Sequence, residues 1–418
     1  MNQIKLLCLD NLINKNIIFY LCLIFLFNYL INQNGYPANR QNMYSAKNNI
    51  YSLLKPNDSL LVYSKQGDII YSKRAKKKNI PASILKIITS LSAINYLGID
   101  YRFPTKFYID KKNNLKVKGF GDPVLVSEEL EKIASELSKK IKKVNNIILD
   151  ASYFKTPLKI PGLSRTYNPY DAPNGALCVN FNTVFYTRDS KKQPVSAEPH
   201  TPMIPFVKKR ITRRTPDGRI NLFKRHKDIV YYVGNLLKYF LKNQGIDVKG
   251  HILTEKIKDS DVLLFTHYSG ANLKEIISML LEFSNNFIAN QLLLSTGAKL
   301  YDSPATLEKG ISAVKSYCKT LNIENINIVE GSGISRKNKI SANGMMKALK
   351  AFEPYKNLLS KEDNELFKTG TLNGIRTRAG YIESESGSTY CYVVMMQKRG
   401  ITTYNIKKVM EEIKEALH

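Results

Sequence analysis

The sequence predicts an α+β chain in which one domain, split in two, brackets an inserted segment. Three observations carry this. A hairpin signal followed by an apolar helix stands near the amino end, three strands and a helix close the chain, and the stretch between them differs in character. The length of 418 residues agrees, since about 150 per domain suggests two or three domains.

The first segment has an address. Lys5 and Lys15 precede the apolar run Ile17 to Phe27, which Tyr29-Leu30-Ile31 extends. A positive flank before an apolar core of this length reads as an export signal, short of the about 20 residues of a comfortable membrane span. No A-x-A site follows, and Cys22 lies inside the apolar run, which argues against a lipoprotein. Residues 1–44 are therefore assigned to a signal peptide or an uncleaved N-terminal membrane anchor. The mature chain is expected to be exported and periplasmic.

Residues 45–100 read as the first part of the split domain. Leu60-Leu61-Val62-Tyr63 and Ile69-Ile70-Tyr71 flank the turn Lys65-Gln66-Gly67-Asp68, a hairpin pattern. After the basic run Lys73 to Lys78 and Pro81 comes a helix that is apolar nearly all round, from Ile84 to Leu97, stopped by Gly98. Such a helix belongs in the middle of a domain. Residues 101–264 hold short strands, Pro-rich turns and the basic loop Lys208 to Arg214, and read as one or two mainly β inserted domains. Residues 265–418 form the second part. Helical periodicity runs from Leu273 to Leu294 with a break at Ser284-Asn285-Asn286. Strands follow at Lys368–Leu372, Ala379–Ile382 and Thr389–Met396, with a closing helix from about Lys407 to Leu417. The joined parts predict an antiparallel sheet of about five strands flanked by helices.

Composition narrows the function. With 43% hydrophobic and 23% charged residues, disordered and collagenous chains are excluded. The formal charge of +28 favours anionic surroundings. The chain is rich in Lys, Asn and Ile, however, as an AT-rich coding sequence would make it, and it lacks the basic-aromatic motifs of nucleic-acid folds. No nucleic-acid partner is expected. The basic runs are candidates for contact with a membrane surface or cell-wall polymer. Five cysteines without a C-x-x-C pair and five histidines without H-x-x-x-H spacing leave no metal site and no cofactor to expect. Three cysteines (Cys178, Cys318, Cys391) follow the leader, an odd number that leaves at least one thiol unpaired within the chain.

Chemistry must then come from Ser, Lys, Asn and backbone. Ser83-Ile84-Leu85-Lys86 is an S-x-x-K whose spacing of three puts both side chains on one helical face. A serine hydroxyl needs a base, and a desolvated lysine supplies one. Ser52, Ser152, Ser312 and Ser316 also have Lys three residues later. Ser83 differs in heading a buried helix, where an unpaired Lys86 would be costly. Ser284-Asn285-Asn286 is an S-x-N, repeated at Ser341-Ala342-Asn343, and Lys368-Thr369-Gly370 is a single K-T-G. Taken alone, the first is an ordinary helix cap and the second an ordinary strand. In this order, S-x-x-K, S-x-N and K-T-G form the signature of active-site serine penicillin-recognising enzymes.

The sequence thus resembles the class C low-molecular-mass penicillin-binding proteins, which are D-alanyl-D-alanine carboxypeptidases and endopeptidases. Pro81-Ala82-Ser83, Gly119-Phe120-Gly121-Asp122-Pro123, Tyr170-Asp171-Ala172-Pro173, Gly331 to Arg336 and Lys368 to Leu372 extend the likeness over about residues 50 to 415. The long stretch between Ser83 and Ser284 is similar to the inserted domains of that class. The resemblance implies a β-lactamase/transpeptidase-like catalytic domain acting on peptidoglycan stem peptides, with β-lactams as inhibitors. It implies Ser83 as nucleophile, Lys86 as base, and Ser284 and Lys368 as catalytic partners. Asn286, Thr369, Gly370 and Thr371 would bind substrate, and the backbone N–H groups of Ser83 and Thr371 would form the oxyanion hole. Two departures stand out. Asn285 stands where Asp is common, and around Leu163 to Tyr167 the acid that the resemblance implies for reading a diaminopimelate side chain is missing, with Arg165 nearby. The alternatives are a β-lactamase of the same superfamily and a non-catalytic cell-wall-binding scaffold.

Overall fold

The structure, a computed structural model, describes residues 46–417 except 165, 224, 325 and 386. The expected leader and Arg165 lie outside the described residues. Two compact units are distinguished. Of the described residues, one unit comprises 46–55 and 407–417, in which residues 46–53 are helical and Ile50, Val409 and Ile413 are buried. The other, residues 56–406, contains all the described strands. No described helix is long and apolar enough to cross a membrane.

In chain order, the larger unit begins with β1 (Ser59–Tyr63) and β2 (Ile69–Lys73), paired antiparallel about a turn with Gly67 at φ 97°. A short 3₁₀ turn, Ala82–Ile84, leads into α1 (Leu85–Leu97), which Gly98 ends at φ 91°. Ten consecutive residues of α1, Leu85 to Ile94, are buried. That agrees with the absence of a polar face in the sequence.

The inserted stretch follows with β3 (Pro104–Ile109), β4 (Leu115–Gly119), α2 (Ser127–Ser138), β5 (Ile147–Asp150), α3 (His226–Asn243), β6 (Ile252–Thr254) and β7 (Val262–Tyr268). Its main sheet has the order β6-β5-β4-β3-β7. The pairs β6·β5 and β4·β5 are parallel. A three-stranded sheet is built from Val184–Arg188, Pro194–Ser196 and Gly218–Ile220. Helices accompany the strands of the insert, and α2 and α3 bury long apolar stripes, including Leu130, Ile133, Leu236 and Leu237. Helical crossovers are also what parallel strand pairs require.

The second part brings α4 (Leu273–Glu282), α5 (Asn286–Tyr301), α6 (Leu307–Thr320) and α7 (Ala342–Phe352). Then come β8 (Ser360–Glu362), β9 (Glu365–Leu372), β10 (Ile375–Glu383), β11 (Thr389–Gln397) and α8 (Thr403–Leu417). The main sheet runs β8-β9-β10-β11-β1-β2 and all its pairs are antiparallel. It has six strands where about five were expected, the addition being the short polar edge strand β8. Strands separated by more than 300 residues meet here, with Leu61 opposite Val393. Helix α1 packs on α5, α6 and α7 beside this sheet. The helix that follows Ser83 is thereby fixed on several sides.

Candidate active site

Three close approaches assemble the site. The 3₁₀ turn carries Ser83, the break between α4 and α5 carries Ser284 and Asn286, and β9 carries Lys368 to Thr371. They meet at a cleft of about 570 Å³ whose lining includes Ser83, Ser284, Asn286 and Thr371. Tyr170, Phe283 and Arg376 line it as well.

Backbone geometry sets the spacing. Ala82 sits at φ 48°, a left-handed conformation unusual for a residue with a Cβ. Thr377 Oγ1 holds this turn by donating to Pro81 O at 2.7 Å. A Cβ on Gly370 would lie 2.8 Å from Ser83 N and 2.2 Å from Thr377 Oγ1. Only glycine lets β9 lie so close to the Ser83 backbone. A Cβ on Gly333 would fall 1.8 Å from Ala82 O, so a second glycine closes the other side.

Lys86 is fully buried, and its Nζ has three neighbours. Ser83 Oγ lies at 2.9 Å, Asn286 Oδ1 at 2.9 Å and the Ser332 carbonyl oxygen at 2.7 Å. None is a carboxylate. Burial first, then the charge of Lys368, pulls the Lys86 amine down to about 7, while Glu330 acts in the opposite direction. A neutral amine has two N–H bonds and one lone pair. Carbonyl and amide oxygens can only accept, so they take both N–H bonds and leave the lone pair for the Ser83 hydroxyl.

Lys368 is buried, and that burial lowers its amine to about 8. Thr369 and Thr371 are exposed on β9. Ser284, at φ 52°, is half-buried at the cleft wall. Asn285 shows why the S-x-N can also read as a cap: its side chain accepts from Ile288 N at 3.1 Å and starts α5, turning Asn286 toward Lys86. The tripeptide thus caps α5 and sets Asn286 beside Lys86. The other S-x-x-K serines do not make such a site; Ser312 and Lys315, for example, are both exposed. The three described cysteines are free thiols. Among the described residues no cluster of His, Cys, Asp or Glu could hold a metal ion.

Sequence reasoning assigned no role to Glu330, the fully buried acid behind the site. It accepts from Ser332 N, Ser332 Oγ and Gly333 N at 2.6–2.8 Å, and from Asn338 Nδ2 at 2.6 Å. Asn290 Nδ2 and Ser335 N complete the set at 3.3 Å each. This cradle fixes the turn whose Ser332 carbonyl receives Lys86. The only sequence signal is an acid immediately before Gly331-Ser332-Gly333.

A serine and a buried lysine between a mixed helical layer and an antiparallel sheet define a serine hydrolase of the penicillin-recognising fold. The family model described as D-Ala-D-Ala carboxypeptidase 3 (S13) matches residues 59–217 and 217–364. The chain belongs to that family. It is 23% identical over 399 residues to a D-alanyl-D-alanine carboxypeptidase of Haemophilus influenzae, covering 78% of this chain and 82% of that one. A D-alanyl-D-alanine carboxypeptidase of Actinomadura sp. strain R39 is also 23% identical, with 79% and 72% covered. Among solved structures, penicillin binding protein 4 of Haemophilus influenzae superposes with a TM-score of 0.71 at 20% identity, over 88% of this chain and 98% of that one. A predatory endopeptidase of Bdellovibrio bacteriovorus gives 0.53 at 17% identity, over 85% and 91%.

Proposed function

We propose that this enzyme cleaves the D-Ala-D-Ala bond of peptidoglycan stem peptides through an acyl-enzyme on Ser83. The observation that carries the reading is the buried Lys86 amine, held near neutrality 2.9 Å from Ser83 Oγ with its N–H bonds engaged elsewhere. As Ser83 Oγ attacks the carbonyl carbon, its proton passes to Lys86, and the oxyanion forms toward the backbone N–H groups of Ser83 and Thr371. Losing one such donor costs about 3–4 kcal/mol of transition-state stabilisation. The C–N bond then breaks. Ser284 relays the proton to the departing amine, and Lys368 keeps the local field positive. Asn286 holds the substrate amide, while Thr369 and Thr371 receive the terminal carboxylate. Water attacks the ester in the second half, with Lys86 again the base.

A β-lactam completes the first half and stalls, because its leaving group stays tethered. Labelled benzylpenicillin should therefore remain on the wild-type protein and be absent from Ser83→Ala. Label retained by Ser83→Ala would place the nucleophile elsewhere, and rapid nitrocefin turnover would recast the protein as a β-lactamase. We place such an enzyme outside the cytoplasm, where that substrate lies; the apolar run after Lys5 and Lys15 supports this, and the exposed Lys208-Lys209 and Arg213-Arg214 are candidates for cell-wall polymer contact.

A further inference from the structure

The catalytic cleft has a second arm. A cavity of about 220 Å³ shares Tyr170, Phe283, Ser284 and Asn286 with the main cleft and continues beneath the inserted stretch to Phe181, Thr183 and Arg219. Its entrance is marked by two aromatic side chains that the fold leaves in solvent, Tyr170 at 53% and Phe283 at 70% exposure. No acid is among its described lining residues, and the Arg219 that lines it is ion-paired with Glu198.

Two features indicate a built site. The first is backbone strain. Asn180, Phe181 and Asn182 all have φ between 51° and 56°, three successive left-handed residues that each carry a side chain. The turn is held from behind: Asn180 Nδ2 donates to Ser127 Oγ and Tyr232 OH, and Asn182 Nδ2 to Pro173 O. The residue so presented is Phe181, half-buried and edge-on to Phe287 at 6.2 Å. The second is Arg219, which sits over the Phe185 ring and donates to Thr183 Oγ1 at 3.2 Å and to Glu198 Oε1. Two of its five N–H bonds are engaged and three are free for a ligand, in the planar fork that suits a carboxylate.

We propose that this arm is a peptide subsite, in which Arg219 binds a substrate carboxylate other than the terminal one held by Thr369 and Thr371, and Phe181, Tyr170 and Phe283 pack on the adjoining chain. The inference rests on the peptidase reading above and adds to it a determinant of substrate choice. The carboxylate belongs either to the same stem peptide or to the second stem of a cross-linked dimer. A simple β-lactam does not extend into the arm.

The test compares Arg219→Leu, Arg219→Lys and Phe181→Ala with wild type on three probes: benzylpenicillin acylation, a monomeric pentapeptide and a cross-linked dimer. Arg219→Leu and Phe181→Ala should lower kcat/KM on the peptides at least about fivefold, mainly through KM, with benzylpenicillin acylation within about twofold of wild type. Arg219→Lys should recover part of the loss. Loss on the dimer alone assigns the carboxylate to the second stem, and loss on both peptides assigns it to the same stem. Either supports the subsite. Unchanged peptide kinetics, or an equal fall in acylation by benzylpenicillin, overturns it by leaving Arg219 without a ligand or with a structural role only. A wild type that takes no penicillin label fails the peptidase reading instead, and the two failures are thereby distinguished.

Discussion

Glu330 and Asp122 are both carboxylates sealed from water, one behind the buried Lys86 and one in the inserted stretch. Glu330 has six donors around its two oxygens. Asp122 Oδ1 accepts from Val124 N at 2.9 Å, while its Oδ2 has no partner. Burial, with Glu129 adding to it, pushes the Asp122 carboxyl up to about 7. A buried acid costs little when donors replace its hydration, and it keeps its proton when they do not. Around the site every polar neighbour of Lys86 is spoken for, so its perturbed amine is confined to one task.

The largest effect expected from this contrast is at Lys86. Replacing it with Met should cut benzylpenicillin acylation by about 10²–10⁴-fold. The melting temperature should hold or rise, since a buried amine without an acid partner gives way to an apolar chain of similar length. In wild type, acylation should increase through pH about 7 as Lys86 becomes free base, then decline above about 8 as Lys368 loses its charge. The two limbs belong to the coupled pair rather than to either amine alone. A flat profile across pH about 6 to 9 would break the assignment of Lys86 as base.

An intermediate effect is expected at Glu330. Glu330→Gln keeps the shape but exchanges one acceptor for an NH₂ that faces the donors of Ser332, Gly333 or Asn338. The urea midpoint should fall by the equivalent of about 1–3 kcal/mol. The sign at Lys86 follows as well. Glu330's negative charge raises the Lys86 value, so its removal should move the rising limb of the acylation profile to lower pH. A limb displaced upward would mean that the Glu330 cradle acts on the lysine through something other than charge.

How much of this was legible in the sequence depends on range. Ser83 and Lys86 were readable because a spacing of three is local geometry, and β1–β2 because a Gly-Asp turn between apolar runs is local too. The three closing strands were found within a few residues of Glu365–Leu372, Ile375–Glu383 and Thr389–Gln397. Helix α3 was passed over although Ile229, Val233, Leu236, Leu237 and Phe240 keep a helical period, because prolines and short β-like runs on its amino side coloured the whole stretch. Strand β8, Ser-Lys-Glu, has no apolar pattern and exists only as an edge on β9. Glu330 was illegible for the same reason on a larger scale. Its six donors come from positions 290 to 338 and converge only once α5 and the glycine turn have packed. The same holds for the cleft's second arm, where Asn285-Asn286 and Arg219 are brought together across the insert.

The smallest effect tests the other member of the pair. Asp122 has a folded value raised to about 7 from an ordinary 3.8. The native state therefore holds a proton that the unfolded chain has already released over that interval. Stability associated with this carboxyl is whole below pH about 4, is lost progressively as pH rises, and is fully lost above about 7. Asp122→Asn keeps the acceptor for Val124 N and cannot ionise. The melting temperature of the variant should thus gain on wild type between pH about 4 and 7, with the gap constant beyond. Penicillin acylation should be the same in both proteins, since Asp122 lines neither arm of the cleft. A gap that narrows with rising pH would mean that the orphan oxygen is satisfied in solution, and the contrast with Glu330 would then lie in the number of donors and not in the state of the acid.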